Sequence, residues 1–271
     1  MEEQSANNPF LIDSLNHPLA VPIRKLLTRE GRRELGQILI DDEENILQAL
    51  EAGVEIDSVY FAGDEVISDL LRKKVTAGAT IHEVAKRTTK KIFENDKISR
   101  IFAIAQTPKP VGLDALQSIK KDIVVLEDLS ISGNIGNITR TSLALGVGGI
   151  VLLNMDSVDL YDRRLIRASR GYLFSLPMIT ASTTDFLNYC KKNQETLLAM
   201  DMKADKTIDD IASASNRMLI VFGSEKEGCS PEVESVATLR ARIPISPQVE
   251  SLNVSASAGI TIYSRWKFNQ K

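Results

Sequence analysis

An α/β architecture in two domains is the fold class that the sequence predicts. Short apolar runs alternate with helix-like stretches from residue 37 to the C-terminus, the pattern of strands covered by helices. In the second half those runs are apolar nearly throughout, as the strands of a parallel sheet buried on both faces must be. Thr107-Pro-Lys-Pro-Val-Gly112 interrupts the alternation with two prolines and a glycine, a composition that suits neither helix nor strand. At 271 residues the chain also exceeds the usual single-domain size. The expected organisation is a flexible tail over 1–16, an α/β domain over 17–106, a linker over 107–121 and a second α/β domain over 122–271.

The elements follow in order. Residues 1–16 are polar overall and show no period. Residues 19–29 read as a helix, 37–40 as a strand and 42–52 as a helix that Gly53 can end, because glycine enters the left-handed conformation without a Cβ clash. Strands at 56–62, 80–84 and 101–106, with helices at 65–77 and 86–94, complete the first half. The second half reads as strands at 123–127, 149–153, 178–180, 196–200, 218–222 and 240–245. Its helices are expected at 135–146, 161–170, 184–193, near Ile208 and at 251–267. Ser230-Pro231 starts another: serine caps the first turn, and proline fits a position whose N–H would have no partner anyway.

Composition narrows the function classes. Hydrophobic residues make up 43% and charged residues 25%, which describes an ordinary globular protein. No apolar run approaches the roughly 20 residues that cross a bilayer, and nothing resembles a signal peptide, so a cytoplasmic address is expected. Cys190 and Cys229 are the only cysteines, without the spacing of a disulfide framework or a zinc site; reduced thiols and no metal are expected. The only histidines, His17 and His82, lie far from the motifs described next, which argues against histidine chemistry. A net charge of −3 gives no overall basic signature. Basic residues cluster at Arg24, Lys25, Arg29, Arg32 and Arg33, at Lys86, Arg87, Lys90 and Lys91, and at Arg163, Arg167 and Arg170. The last three fall at i, i+4 and i+7 on one helical face, with little acidic compensation after Asp162.

Three unusual stretches sit at strand ends. Gly133-Asn134-Ile-Gly136-Asn-Ile-Thr-Arg140 follows the run 123–126, and its glycines read as a tight turn. Phe222-Gly223-Ser224-Glu225-Lys-Glu-Gly228 follows the second run, 218–222. Ile243-Pro-Ile-Ser246-Pro-Gln-Val-Glu-Ser251-Leu252-Asn253-Val-Ser255 follows the last. Ligands in open α/β folds collect at the carboxyl ends of the strands, so three polar turns there predict one pocket. A dehydrogenase-like dinucleotide site is disfavoured, because Gly133-Asn-Ile-Gly136 has the wrong spacing for GxGxxG.

In this order the motifs resemble those of the SpoU branch of the SPOUT RNA methyltransferases. Asn134, Gly136 and Arg140 match its Asn-x-Gly-x-x-x-Arg element, Gly223, Glu225 and Gly228 its Gly-x-Glu-x-x-Gly element, and Ser251 to Ser255 its Ser-Leu-Asn-Val-Ser element. More narrowly, Thr141-Ser-Leu-Ala-Leu-Gly146 and the stretch from Asp162 to Pro177 resemble the thiostrepton and nosiheptide resistance methyltransferases. The resemblance implies a C-terminal SPOUT domain with a deep trefoil knot, a rare exception to unknotted chains, that binds S-adenosyl-L-methionine. It also implies an N-terminal domain similar to ribosomal protein L30e that recognises the RNA, and a homodimer formed through the C-terminal domain with an active site shared between subunits. The implied reaction is methylation of an adenosine ribose 2′-hydroxyl in a 23S rRNA stem-loop at the GTPase-associated centre, which would obstruct thiopeptide antibiotics. Alternatives are a SpoU enzyme acting on another ribosomal site or on transfer RNA, and an RNA-binding module with a vestigial catalytic half.

The residue chemistry fits that implication. A ribose hydroxyl is a poor nucleophile until its proton is handled and it is held in line with the methyl group. The family assigns the proton-handling role to Arg140, with Asn134 orienting the site. A guanidinium with a pKa above about 12 is a bad base, so Arg140 is read as stabilising the developing alkoxide, with an adjacent phosphate as relay. The resemblance puts Glu225 in the active site and Ser251 and Asn253 near the acceptor or the cofactor. It makes Gly223, Ile243 and Leu252 the lining of the cofactor pocket, with Met200, Ser224 and Ser246 as further candidates at strand ends. Arg167 and Arg170, with Arg163, are candidates for holding RNA phosphates. From the residues alone, Arg140 could equally pair with a carboxylate, Glu225 could be an exposed turn acid, Ile243 and Leu252 could be core, and Ser251 and Asn253 could cap the last helix.

Overall fold

A computed structural model of the chain describes residues 11–75, 78–154, 158–214, 216–224 and 227–269. The chain forms two compact units, Met1–Pro108 with Tyr161–Phe174, and Lys109–Leu160 with Ser175–Lys271. The first unit contains β1 (Leu11–Ile12), α1 (Ala20–Lys25), α2 (Arg29–Leu35), β2 (Gln37–Asp41), α3 (Glu43–Glu51), β3 (Ile56–Ala62), α4 (Asp69–Lys74), β4 (Thr80–Val84), α5 (Lys86–Ile92) and β5 (Ile101–Gln106). Its sheet has the order β1-β4-β3-β5-β2, with β5 antiparallel to both neighbours and the other pairs parallel. Under it lies a core that includes Ile23, Leu26, Leu39 and Ile92. Tyr60 stacks on Phe102 at 5.0 Å between centroids, and Phe93 meets Phe102 edge-on at 5.2 Å.

Local capping explains where this unit departs from the sequence reading. The single helix expected over 19–29 is two helices, because Thr28 is extended and its side chain accepts from the Gly31 N–H to start α2. The helix expected over 65–77 begins only at Asp69, where Ser68 accepts from the Leu71 N–H. Leu11 and Ile12, expected in the flexible tail, instead add an edge strand beside β4; residues 1–10 lie outside the described residues.

The second unit opens with a 3-10 segment, Leu113–Ser118, inside the expected linker. It continues through β6 (Ile123–Glu127), α6 (Ser132–Ala144) and β7 (Gly149–Leu153), after which α7 (Arg163–Ala168) belongs to the first unit. β8 (Met178–Ala181), α8 (Thr183–Asn193), β9 (Leu197–Met200), α9 (Ile208–Ala212), β10 (Leu219–Phe222), α10 (Pro231–Val236), β11 (Leu239–Ala241) and α11 (Val254–Asn269) complete it. The strand order is β11-β9-β10-β6-β7-β8, and every pairing is parallel. β6, β7 and β10 are buried at every residue, as their apolar runs require.

Two corrections bear on the motifs. The glycines Gly133 and Gly136 lie inside α6 rather than in a turn before it, and the bend after β6 is made by Asp128 at φ 54. The last helix starts at Val254, not 251, and β11 ends at Ala241 rather than 245. Asn253 caps α11, its Oδ1 accepting from the Ser255 N–H at 2.9 Å. At the far end of that helix Arg265 is 2% exposed. It donates to both Asp122 oxygens at 2.8 and 3.0 Å and to the carbonyls of Ala212, Ala214 and Asn216. The closing helix is thereby fixed to the residue that precedes β6.

The basic face read over 161–170 is corrected most sharply. Arg163 is only 3% exposed. Its guanidinium donates to Asp41 from Nε at 2.9 Å to each oxygen, reaches Asp96 at 3.3 Å and the Lys97 carbonyl at 3.1 Å, and lies 4.4 Å from the Phe93 ring centroid. Arg167 pairs with the same Asp41 and, at 3.2 Å, with Asp96. Burial alone would raise the Asp96 pKa; the Lys97 N–H and the charges of Arg167, Arg163 and Arg164 outweigh it and hold the carboxyl below its ordinary value. Its stabilising contribution is therefore full near neutral pH and is lost on acidification through that lowered pKa. Arg170, past the helix end at φ 51, is exposed. Asp41→Ala, which leaves the buried Arg163 without its main counter-ion, is expected to cost about 3–5 kcal/mol in urea unfolding. Arg170→Ala should stay within about 0.5 kcal/mol of the parent.

Candidate active site

The parallel sheet of the second unit brings the ends of β9, β10 and β11 out along one edge, and a cavity of 770 Å³ opens there. Its volume lies in the range of small-molecule sites. Six of the residues singled out from sequence line it: Met200, Gly223, Ser224, Ile243, Ser251 and Leu252. Ser246 does not; its carbonyl accepts from the Val249 N–H at 3.1 Å and organises the turn after β11.

Gly223 is required by close approach. A Cβ there would sit 1.9 Å from the Gly228 carbonyl oxygen and 2.3 Å from the Cys229 nitrogen, so any side chain would force the loop open. Ser224 and Gly228 close that loop by exchanging backbone hydrogen bonds, each 3.0 Å, and Gly228 takes φ 75. Glu225 lies outside the described residues.

The loop is held from behind by a residue that the sequence reading missed. Glu127 ends β6 and is 1% exposed. Its Oε2 accepts from the Ser230 N–H at 2.9 Å and its Oε1 from the Ser230 hydroxyl at 2.6 Å and, more distantly, the Thr183 hydroxyl at 3.4 Å. Ser230 is the N-cap of α10 and lies two residues beyond Gly228, so the buried carboxylate fixes where the loop returns to the helix. A glutamate at the end of an apolar strand reads as the start of a turn, which is why sequence gave no signal of it. Cys229, between them, is no nucleophile: burial first, and Glu127 second, push its thiol up to about 12. Burial does the same to Cys190, with Glu195 adding to it.

The charged wall of the cavity was also missed. Asp201 follows β9 and meets Arg240 at 2.5 Å; Arg240 also reaches Glu234 at 3.4 Å. Arg242 donates from Nε to the Ala204 carbonyl at 3.1 Å. These residues stand where strands end, and only the sheet order makes them neighbours.

The first and third motifs meet at one contact. Asn253 donates from Nδ2 to Asn134 Oδ1 at 3.3 Å, which ties the first turn of α6 to the segment carrying Ser251 and Leu252. Arg140 lies six residues further along α6, about 9 Å at 1.5 Å per residue. It is half-buried and is not among the described residues that line the cavity. Among the described residues, no group of three or more metal-ligating side chains occurs, and no helix is long and apolar enough to cross a membrane.

Comparisons with known proteins bear on the family and the fold. The SpoU rRNA methylase family description matches residues 121–263, and a description of the N-terminus of thiostrepton-resistance methylases matches residues 9–119. Over 246 residues, 90% of either chain, the sequence is 37% identical to the 23S rRNA (adenosine(1067)-2'-O)-methyltransferase of Streptomyces laurentii. A solved RNA 2'-O ribose methyltransferase, 26% identical, matches with a TM-score of 0.81 over 96% of this chain and 100% of that one. The AdoMet-bound rRNA methyltransferase of Sinorhizobium meliloti, 24% identical, shares the fold with a TM-score of 0.80 over 95% of this chain and 97% of that one. With a family match across more than half its length and a relative of this identity along nine-tenths of it, the chain belongs to the SpoU rRNA methylase family.

Proposed function

We propose that this protein transfers a methyl group from S-adenosyl-L-methionine to the ribose 2′-hydroxyl of an adenosine in 23S rRNA, the activity in the name of its Streptomyces laurentii relative, and so confers resistance to thiopeptide antibiotics. The observation that carries this reading is the cavity at the ends of β9, β10 and β11, walled by Gly223, Ile243 and Leu252. These residues suit the cofactor. Gly223 and Gly228 contribute loop backbone to the wall beside a flat ring, Ile243 and Leu252 supply apolar surface, and Asp201, Lys203, Arg242 and Glu250 give the wall charges of both signs for an amino-acid tail. When bound, S-adenosyl-L-methionine supplies a methyl group already activated by its sulfonium charge.

The chain's own residues must then position and activate the ribose. Asn134 and Asn253 form a coupled pair next to Ser251 and Leu252, suited to orienting the acceptor. Among the described residues no hydrogen bond or ion pair engages the Arg140 side chain, so its guanidinium is available to stabilise the developing alkoxide. Glu225 keeps the role of holding Arg140 or the RNA. Arg170, exposed, remains a phosphate contact; Arg163 and Arg167 leave that list because their charges are engaged by Asp41 and Asp96.

Assembly belongs to the same reading. A homodimer through the second unit is supported by Arg140 standing apart from its own chain's cavity wall, and by Ile260 and Tyr263 exposed on α11, which packs on α6. The deep trefoil knot is supported by α11 returning to Asp122 at the foot of β6. The L30e-like character of the first unit and a cytoplasmic location complete the proposal.

The test is methyl transfer from tritiated S-adenosyl-L-methionine to 23S rRNA and transfer RNA transcripts; labelling of transfer RNA alone would overturn the substrate. Arg140→Ala should lower turnover by about a hundredfold or more while calorimetry shows cofactor affinity within about twofold of the parent; equal loss of both would make Arg140 structural. Glu127→Ala strands a buried N–H and hydroxyl, a loss of about 1–3 kcal/mol, and should weaken cofactor binding about tenfold. Glu127→Gln keeps an acceptor for Ser230 and should retain most of the affinity; identical defects in the two variants would count against this role.

A further inference from the structure

The first unit carries an unclaimed cationic surface, and we propose that the exposed face of α5 together with α1 holds the phosphate backbone of the RNA substrate, an inference that rests on the function proposed above. α5 is divided cleanly. Lys86, Arg87, Lys90 and Lys91 are exposed, while Thr88, Thr89 and Ile92 face inward. The exposed positions repeat at i, i+1, i+4 and i+5, one side of a helix, and span about 7.5 Å at 1.5 Å per residue. No acidic residue interrupts α5 or α1.

Packing makes the two helices one surface. α1 lies against α5 through Ala20, Ile23, Leu26, Ile92 and Phe93 of a common core. The Thr88 hydroxyl donates to the Asp13 carbonyl at 2.7 Å, and the Ala85 N–H to the Ile12 carbonyl at 2.9 Å, so the start of α5 is fixed to β1. Arg24 and Lys25 at the end of α1 are exposed beside it. Two of these cations are engaged, Lys25 with Glu34 at 2.7 Å and Lys86 with Asp64 at 2.5 Å. The side chains of Arg24, Arg87, Lys90 and Lys91 have no hydrogen bond or ion pair among the described residues. In a chain with a net charge of −3, four uncompensated cations on one surface are a local concentration.

The chemistry of that surface selects the partner. Long basic side chains without interleaved aromatics neutralise phosphates and displace their counter-ions, but do not read bases. The surface therefore contributes affinity and register, and its contribution is salt-dependent. It takes the part that Arg163 and Arg167 would have played had they been free of Asp41 and Asp96.

The test uses the full-length protein with Arg87→Ala, Lys90→Ala and Lys91→Ala combined. Alanine preserves helix propensity, and an unchanged melting temperature would confirm folding. The probe is a 23S rRNA stem-loop transcript carrying the adenosine methylated by the Streptomyces laurentii relative. At about 0.1 M salt the triple variant should bind it at least tenfold more weakly, with the slope of log K against log salt less steep by about 2 to 3. KM for RNA should rise while kcat at saturating RNA and KM for S-adenosyl-L-methionine hold. Lys191→Ala with Lys192→Ala, exposed on α8, is the charge control and should leave binding unchanged. Parent-like affinity and slope in the triple variant, or an equal loss in the control, would overturn the surface. Failure of the parent protein itself to methylate this transcript would instead overturn the proposed function.

Discussion

A parallel sheet sends all its strands out through the same edge, so residues that follow different strands become neighbours whatever their distance in sequence. In the second unit every strand pairing is parallel, and the cavity collects Met200 at the end of β9, Gly223 after β10 and Ile243 after β11 on that edge. Nothing about the cavity needs a long-range side-chain network to assemble it. What does need fixing is the fine position of the loops, and buried polar groups do that. Glu127 holds the return of the 223–228 loop through Ser230, and Asp122 holds the closing helix through Arg265. Both acids belong to the β6 segment, one on each end, so a single central strand sets the geometry of the loops on either side.

Buried charge of this kind specifies arrangement more than it adds stability, since desolvation offsets much of the attraction. Arg265 shows the condition under which it is tolerated: besides Asp122, three backbone carbonyls take up its remaining donors. Arg163 meets the same condition with Asp41, Asp96 and the Lys97 carbonyl. Each guanidinium thus secures one segment that the chain must bring back from far away, α11 in one unit and α7 in the other.

How much of this was legible in the sequence depended on whether the deciding information was local. Strands 56–62, 80–84, 101–106, 123–127 and 149–153 have the bounds that the sequence indicated; for 123–127 and 149–153, buried at every residue, the reason is that a strand covered on both faces reads as a near-continuous apolar run. The start of α6 was misread, since glycine disfavours helix by about 1 kcal/mol; burial of Ile135 and Ile138 outweighs that preference. Five of the six cavity residues stood in the motif stretches and Met200 at a strand end, whereas Asp201, Arg240 and Arg242 carried no such mark, because strand order made them neighbours. The 163–170 run shows the limit most clearly. Its helical spacing says which side chains share a face, but the acid that neutralises them is 122 residues away.

The fate of those arginines separates two kinds of basic residue that look alike in sequence. In α7 the cations flank Leu165 and Ile166, both fully buried, and Asp41 and Asp96 stand within reach of Arg163 and Arg167, so burial drew those two into ion pairs. In α5 the inward positions are filled by Thr88, Thr89 and Ile92, whose hydroxyls find carbonyls in Asp13 and Ala85. The cations there are spared burial and point outward together. Whether a charge cluster is available for a partner is therefore decided by what occupies the helix's other side: where uncharged residues satisfy the interior, the lysines and arginines remain free to meet phosphate.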